Sequence, residues 1–241
     1  MVLGLGELEV NDISVEYTDH PDGSFVRYGP ARKISALSEI NFSVRNGDVV
    51  ALVGKNGSGK STLLKLISGM LRPSKGRIKT NGRVILLAGV NPGFANEATG
   101  RQNISELASA YGIPREEHDE FVESVIDFAE IGDAIDRRVK GYSGGMKGKL
   151  GFGFITSLNP DILLIDETLS VGDQDFRVKA QKQLRQFVEK SGSVIMSTHS
   201  LGLAREMCNR GLVLNKGSLI ADSDIEGAML AYRGILKSAK K

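Results

Sequence analysis

The chain has 241 residues, of which 41% are hydrophobic and 25% are charged, and this balance excludes an intrinsically disordered protein. Its 31 basic and 29 acidic residues give a net charge of +2, which does not favour nucleic acid as the main partner. A single cysteine, Cys208, excludes an internal disulfide, predicts a reducing compartment and reads as a small buried apolar group.

The N-terminal part predicts β-structure. Residues 1–10 lack the basic and then apolar pattern of a signal peptide, and Leu8–Tyr17 predicts a strand. Residues 18–33, rich in Asp, Pro and Gly, predict a loop. Glu39–Val44 and Val49–Val53 predict two strands, and the Asn-Gly pair at 46–47 predicts that they form a hairpin.

The middle of the chain is mostly helical. Leucines from 63 onward predict a helix that ends before Pro73, after which Arg77–Leu87 predicts a strand. Residues 89–100 predict a loop. Further helices are expected over Asn103–Tyr111, over Arg115–Ala129 and after Ser143.

The C-terminal part alternates strands and helices. Residues 161–165 and 193–197 are short apolar runs typical of parallel strands buried on both faces. Helices are predicted over 178–188 and 225–236, with a hairpin around Lys216-Gly217 between them. Together, the predicted strands and helices indicate an α/β fold with a parallel core sheet, an antiparallel β portion near the N-terminus and a helical insertion around 98–158. No apolar run reaches the ~18–20 residues that a membrane span needs, so we expect other chains to supply any span.

A Gly-rich loop at residues 54–61, Gly-Lys-Asn-Gly-Ser-Gly-Lys-Ser, follows a predicted strand and precedes a predicted helix. It matches the pattern G-x-x-x-x-G-K-[ST], whose backbone N–H groups, together with the positive end of the helix, hold phosphates. We expect Lys60 to reach the β- and γ-phosphates, the Ser61 hydroxyl to ligate Mg²⁺ and Thr62 to add a phosphate contact. The motif predicts nucleotide binding without fixing the class of NTPase.

Two adjacent carboxylates, Asp166 and Glu167, follow the buried run 161–165. A carboxylate at such a strand end can hold Mg²⁺, usually through water. Neighbouring side chains in a strand point to opposite faces, so Glu167 is available to orient or deprotonate the attacking water. The sequence therefore predicts Asp166 as a metal residue and Glu167 as a catalytic one.

A second loop carries a resemblance to a known family. Tyr142-Ser143-Gly144-Gly145-Met146 resembles the ABC signature loop, usually written LSGGQ. His199 is similar to the switch histidine, and residues 170–173 (Ser-Val-Gly-Asp) resemble the loop that links the two sites of a dimer. All parts occur in the order typical of ABC ATPases. The resemblance implies one ABC ATPase domain over residues 1–241, with a helical subdomain at roughly 98–158.

The resemblance also implies a head-to-tail dimer in which each ATP, with Mg²⁺, lies between the phosphate loop of one copy and the signature loop of the other. Lys60, Glu167 and His199 are then the expected catalytic residues. The expected nucleotide-binding residues are Tyr17, Asn56, Gly57, Ser58, Gly59, Lys60, Ser61, Thr62, Ser143, Gly144 and Gly145.

The chain departs from the family pattern at three positions. The signature loop ends in Met146 rather than glutamine. The glutamine expected after the strand that ends near Leu87 is missing, and Asn91 is the nearest amide that could replace it as a metal residue. The aromatic residue that stacks on adenine is expected to be Tyr17, with Tyr28 as the alternative.

Other segments resemble exporters of lipid-linked cell-surface polymers. These segments are Thr99-Gly100 with Asn103, residues 128–133 (Phe-Ala-Glu-Ile-Gly-Asp), residues 166–173, and Phe176 with Lys179. The resemblance is greatest to teichoic acid exporters, with O-antigen and capsular polysaccharide exporters as the alternative. It implies two copies of a separate transmembrane permease and a peripheral place on the cytoplasmic face of the membrane.

Two further functions compete with transport. A soluble ABC ATPase acting on DNA or ribosomes typically carries a long coiled-coil insertion or two ATPase halves, and neither is visible here. A nucleotide-binding module without hydrolysis is disfavoured because Lys60, Asp166, Glu167 and His199 are all present.

Overall fold

A computed structural model describes residues 3–19, 32–88, 92–166, 174–189, 192–198 and 200–238 of the chain. Two sheets and a set of helices make up the fold. The smaller sheet is antiparallel and has the strand order β2-β1-β4. Its strands are β1 (Glu7–Asp19), β2 (Arg32–Val44) and β4 (Lys75–Asn81).

The larger sheet has six strands in the order β5-β6-β7-β3-β8-β9. All neighbours are parallel except the last pair, β8 and β9, which forms the predicted antiparallel hairpin. Its strands are β3 (Val49–Gly54), β5 (Val84–Ala88), β6 (Ile162–Asp166), β7 (Ser193–Ser197), β8 (Arg210–Asn215) and β9 (Ser218–Asp224). The predicted parallel α/β core with an antiparallel portion is therefore confirmed.

Seven α-helices lie in the described ranges. They are α1 (Lys60–Ile67), α2 (Gly100–Ala110), α3 (His118–Ala129), α4 (Gly144–Ser157), α5 (Gln174–Glu189), α6 (Leu201–Met207) and α7 (Ile225–Ser238). Thr99 caps α2 with a full capping box, since its side chain accepts from Gln102 N and the Gln102 side chain accepts from Thr99 N. Residues 115–117, predicted as the start of a helix, instead form a short 3₁₀ turn before α3.

The predicted hairpin between 39–44 and 49–53 is wrong. β2 pairs with β1 in the smaller sheet, whereas β3 lies between β7 and β8 in the larger one. β3 is buried along its whole length, so it requires cover on both faces, which a two-stranded hairpin does not supply. The turn at 45–48 therefore carries the chain from one sheet to the other.

The single strand predicted over 77–87 is also wrong, because the chain forms two strands in different sheets. Gly82 separates them with a φ of 111°. A Cβ at this position would lie 2.5 Å from the Cβ of Asp161, so the close approach requires glycine. Strand structure also extends into the predicted loop 18–33, since β1 ends at Asp19 and β2 begins at Arg32.

Two hydrophobic cores cover the two faces of the larger sheet. Alternate residues of β3 divide between them: Val50 and Leu52 face α1 and the smaller sheet, while Ala51 and Val53 face the helices on the other side. β6 divides in the same way, as its apolar run predicted. Among the described residues, no helix combines the length and the apolar composition needed to cross a bilayer.

Candidate functional site

The Gly-rich loop lies between the end of β3 and the start of α1, as predicted. Gly59 precedes the helix with φ 107° and ψ 2°, and no side chain caps the first turn of α1. Gly57 also has a positive φ, of 75°. The N–H groups of this first turn are therefore available to an anion.

Lys60 holds the loop in a closed curve. Its Nζ donates to the carbonyl oxygens of Gly54 at 2.9 Å and Lys55 at 3.3 Å. The residue is only 6% exposed, so an ammonium group is buried at the centre of the loop. Burial of a cation is costly in the absence of compensating groups, and this position suits a polyanionic ligand.

Ser58 is the one described residue with a buried side-chain polar atom that lacks a hydrogen-bond partner. Its Oγ lies close to Gly54. A Cβ at Gly54 would clash with both this Oγ and the carbonyl oxygen of Leu214. An unsatisfied buried hydroxyl carries a free-energy cost that a polar ligand or water would remove. This orphaned group and the buried Lys60 make the loop a fit for bound phosphates.

Two distant segments support the loop from outside. Gly217 N, in the β8–β9 turn, donates to Ser58 O at 3.0 Å, and Ser38 N donates to Gly217 O at 2.9 Å. A Cβ at Gly59 would lie 2.6 Å from Leu37 Cδ2. These supports were not predicted from the sequence. The Lys216-Gly217 turn was visible in the sequence, but nothing local indicated which loop it contacts.

Asp166 reaches the same edge of the sheet as the Gly-rich loop. Strand pairing aligns Leu52, Ser197 and Asp166 in one row across β3, β7 and β6, and the carboxyl ends of these parallel strands meet at one edge. Ser197 Oγ donates to Asp166 Oδ1 at 2.6 Å. No described residue bonds Oδ2, which leaves one carboxylate oxygen available. This role of Ser197 was not predicted from the sequence either.

A carboxylate and a hydroxyl are the donor set that Mg²⁺ prefers, and it usually binds through one or two such ligands plus phosphate oxygens. Asp166 is half-buried and Ser61 is exposed at the start of α1. The donor chemistry therefore fits Mg²⁺.

Ser143 is the N-cap of α4. Its Oγ accepts from Met146 N at 3.2 Å, and the side chain is exposed, so the hydroxyl can still donate its proton to another group. Nothing lies within 4 Å of a Cβ at Gly144, and only Ser143 Oγ lies near one at Gly145. No hydrogen bond of Ser143 reaches residues 54–61 of its own chain.

The loop before Ser143 is anchored in the helical part. Tyr142 is buried, and its hydroxyl donates to Ala134 O at 2.6 Å. This burial raises the pKa of the Tyr142 phenol, which further favours the protonated form that donates the hydrogen bond. Backbone bonds from Val139 N to Ala98 O and from Lys140 N to Asn96 O join the same segment to the loop before α2.

Tyr17 lies near the end of β1, opposite Ile34 of β2, and 43% of it is exposed. The next residues of β2 approach the Gly-rich loop, since a Cβ at Gly59 would lie 3.0 Å from Ala36 O. An exposed aromatic ring therefore sits on the strand pair that flanks the loop.

Several predicted residues lie outside the described part of the chain. They are Glu167, His199, Asn91, Tyr28 and residues 170–173. Asn56 and Gly57 are exposed in the Gly-rich loop, and Thr62 is half-buried in the first turn of α1.

Sequence relatives are exporters by name. A family profile for ABC transporters matches residues 37–170. The chain is 41% identical over 191 residues to the O-antigen export system ATP-binding protein RfbB of Klebsiella pneumoniae, covering 79% of this chain and 77% of the relative. It is 39% identical over 206 residues to the teichoic acids export ATP-binding protein TagH of Staphylococcus haemolyticus, covering 86% and 78%. Against TagH of Bacillus cereus, 39% identical, the match covers 84% of this chain but only 37% of the relative.

Solved structures show the same fold. An ATP-binding subunit of an ABC transporter superposes with a TM-score of 0.78 at 24% identity, covering 96% of this chain and 95% of that one. A dimeric ATP-binding cassette in a post-hydrolysis state with ADP and Pi superposes with a TM-score of 0.75 at 21% identity, covering 90% and 98%. From its loop geometry, its profile match and its relatives, this chain belongs to the ABC transporter family of ATP-binding proteins.

Proposed function

We propose that this chain is the ATP-hydrolysing subunit of an ABC exporter that moves a lipid-linked cell-surface polymer across the cytoplasmic membrane. One observation carries the ATPase part. The Gly-rich loop after β3 and Asp166 at the end of β6 open onto the same edge of the sheet, so a phosphate chain and a metal residue share one site.

We assign each predicted site residue a role within one chain. Lys60 neutralises the β- and γ-phosphates, Thr62 adds a contact, and Ser61 with Asp166 holds Mg²⁺. Mg²⁺, when bound, offsets the negative charge of the phosphates. Glu167 orients the attacking water, and His199 senses the γ-phosphate. Asn91 stands in for the missing glutamine of the family, and Tyr17 stacks on the adenine.

Two copies complete each site in this proposal. Ser143, with an exposed hydroxyl, and Gly144, with open space beside it, suit a close approach by a phosphate of another molecule. The N-terminus of α4 adds the positive end of a helix. We therefore infer a head-to-tail dimer in which the signature loop, Ser143 to Gly145, closes over the ATP of the partner copy. Residues 1–241 act as one ABC ATPase domain, with its helical part at roughly 98–158.

The transport assignment rests on the relatives. Proteins named for O-antigen export and for teichoic acid export match this chain at 41% and 39% identity. We propose wall teichoic acid as the cargo, with O-antigen or capsular polysaccharide as the alternative. Two copies of a transmembrane permease supply the membrane path, and the ATPase binds them at the cytoplasmic face.

The two-copy site is tested by measuring ATPase activity per molecule across a dilution series of the isolated chain. We expect specific activity to rise with concentration, because each site needs two copies. Glu167→Gln should bind ATP, lose turnover and accumulate as an ATP-bound dimer in sedimentation. Activity that stays flat with dilution, in a chain that remains monomeric, would contradict the shared site.

The cargo is tested by reconstituting the chain with its permease in vesicles and measuring polymer-stimulated ATP hydrolysis. Stimulation by a lipid-linked polyol-phosphate polymer supports teichoic acid, and stimulation by a neutral lipid-linked polysaccharide supports the alternative. If neither polymer raises the rate above that of empty vesicles, the export proposal fails.

A further inference from the structure

Phe176 and Lys179 lie near the start of α5 and contact α3 and α4. Phe176 is buried and packs against two other rings. Its centroid lies 5.8 Å from that of Phe128 on α3 and 6.0 Å from that of Phe152 on α4. The Phe128 and Phe152 centroids are 5.7 Å apart. The three rings therefore join α3, α4 and α5 in one aromatic cluster, with edge-on geometry at Phe176.

Lys179 binds the end of α3. Its Nζ donates to Phe128 O at 2.9 Å and to Asp127 O at 3.4 Å, and it pairs with Glu130 Oε1 at 2.5 Å. The same Nζ lies 4.8 Å from the centroid of the Phe128 ring. One ammonium group thus makes four contacts with three residues at the end of α3, which are Asp127, Phe128 and Glu130.

The end of α3 is a site that attracts a cation. Glu130 terminates the helix with φ 49°, in the left-handed region, and its N–H bonds back to Ile126 O. The last carbonyls of a helix lack intrahelical partners and carry the negative end of its dipole. Lys179 supplies hydrogen-bond donors and a positive charge to these carbonyls, so a side chain of α5 caps the C-terminus of α3. Its side chain is 32% exposed, less than that of Glu130 at 65%.

In the proposed dimer, one chain contributes its signature loop to one ATP site and Glu167 to the other, and the aromatic cluster joins the helices that lie next to these two segments in the chain. α4 begins at Ser143, its N-cap, and carries Phe152 on its buried face. α5 begins at Gln174, directly after the segment 167–173 that contains Glu167. A helix moves as a rigid rod over this length, so a shift at Phe152 or Phe176 is transmitted to the helix end. The contacts of Lys179 and Phe176 therefore join α4, which follows the signature loop, to α5, which follows residues 167–173 in the chain.

We propose that Lys179 is a positioning residue. It binds the end of α3, where Phe128 belongs to the aromatic cluster, and so holds the signature helix α4 in a fixed relation to α5. Binding of the partner's ATP at Ser143 is thereby linked to the position of the start of α5 in the same chain. This inference rests on the proposed two-copy ATPase site, and it assigns a role to residues that do not touch nucleotide.

The test uses Lys179→Met, which keeps an unbranched side chain but removes the charge and the donors. Lys182→Met is the matched control, because Lys182 is an exposed lysine on the same helix. Nucleotide affinity of the monomer, ATP-induced dimer formation, kcat and KM are measured on the full chain. We expect Lys179→Met to bind ATP as the wild type does while kcat falls about 10-fold, since small misplacements of reacting groups cost rate steeply.

A conservative variant separates positioning from stability. Lys179→Arg keeps a cation that can donate to the same carbonyls and cover the Phe128 ring, so it should restore kcat to within about 2-fold of the wild type. The proposal is overturned by a Lys179→Met variant that hydrolyses ATP like Lys182→Met. It is also overturned if monomer affinity falls as much as kcat, since that reports general damage. A wild-type chain without hydrolysis at any concentration would instead refute the proposed function itself.

Discussion

Replacing Gly59 by alanine tests how closely the smaller sheet holds the phosphate loop. Gly59 has a φ of 107°, and a Cβ built there lies 2.6 Å from Leu37 Cδ2 and 3.0 Å from Ala36 O. Leu37 is fully buried, so its methyl group has little room to move aside. Gly57 provides the control, because it also has a positive φ, of 75°, but nothing lies within 4 Å of its Cβ position.

The two substitutions differ mainly in packing. A positive φ costs an alanine about 1–2 kcal/mol, and both variants bear this cost. Gly59→Ala adds an overpacking cost of about 1–3 kcal/mol against Leu37 and the β2 backbone. The free energy of unfolding should therefore fall by about 1–2 kcal/mol for Gly57→Ala and by about 2–5 kcal/mol for Gly59→Ala. The free energy of unfolding of a folded domain is typically ~5–15 kcal/mol, so a parent at the low end of this range would be largely unfolded by the larger loss. Urea midpoints are therefore compared first at low temperature.

Urea denaturation followed by circular dichroism measures both free energies, with ATP affinity measured on the folded fraction. Equal stabilities for the two variants would refute the inferred contact between the loop and β2. A Gly59→Ala variant less stable than Gly57→Ala by ~1 kcal/mol or more would support it.

Two further predictions concern the site and the core. Asp166→Asn keeps an acceptor for the Ser197 hydroxyl but loses the charge, so ATPase activity should fall about 10–100-fold with little loss of thermal stability; a Mg²⁺ titration that matches the wild type would contradict the metal role. Burial raises the pKa of the Cys208 thiol from its ordinary value of 9.0 to about 12, so the folded state keeps its proton where the unfolded state loses it. This thiol should not change the free energy of unfolding with pH below about pH 9, but should lower it as the pH rises from about 9 towards 12. In urea titrations, Cys208→Ala should lessen that alkaline decline.

Local motifs were predictable because their chemistry is contained in a few consecutive residues. The loop 54–61 needs glycine where φ is positive and lysine where phosphate binds, and the structure has Gly57 and Gly59 at positive φ. A helix was predicted to begin after Ser143, and Ser143 is the N-cap of α4. The assignment of roles to these residues stays a prediction.

Pairing between strands was less predictable. Asn46-Gly47 is typical of a hairpin, yet the strands on either side belong to different sheets. The local pattern describes a turn but not the burial that each strand requires. Likewise, Ser197 and the turn at Gly217 support the site from positions far away in the chain, and no spacing rule connects them to residues 54–61.

Nucleotide binding could be predicted from residues 54–61 alone, because this loop contains the glycines, the lysine and the hydroxyl that phosphate and metal require. The support of that loop and the contacts of Phe176 and Lys179 became visible only in the folded chain. Both depend on contacts between residues far apart in the chain, since Lys179 binds the end of α3 about fifty residues earlier. Burial and helix-end electrostatics bring such residues together, and neither can be read from the spacing of residues along the chain.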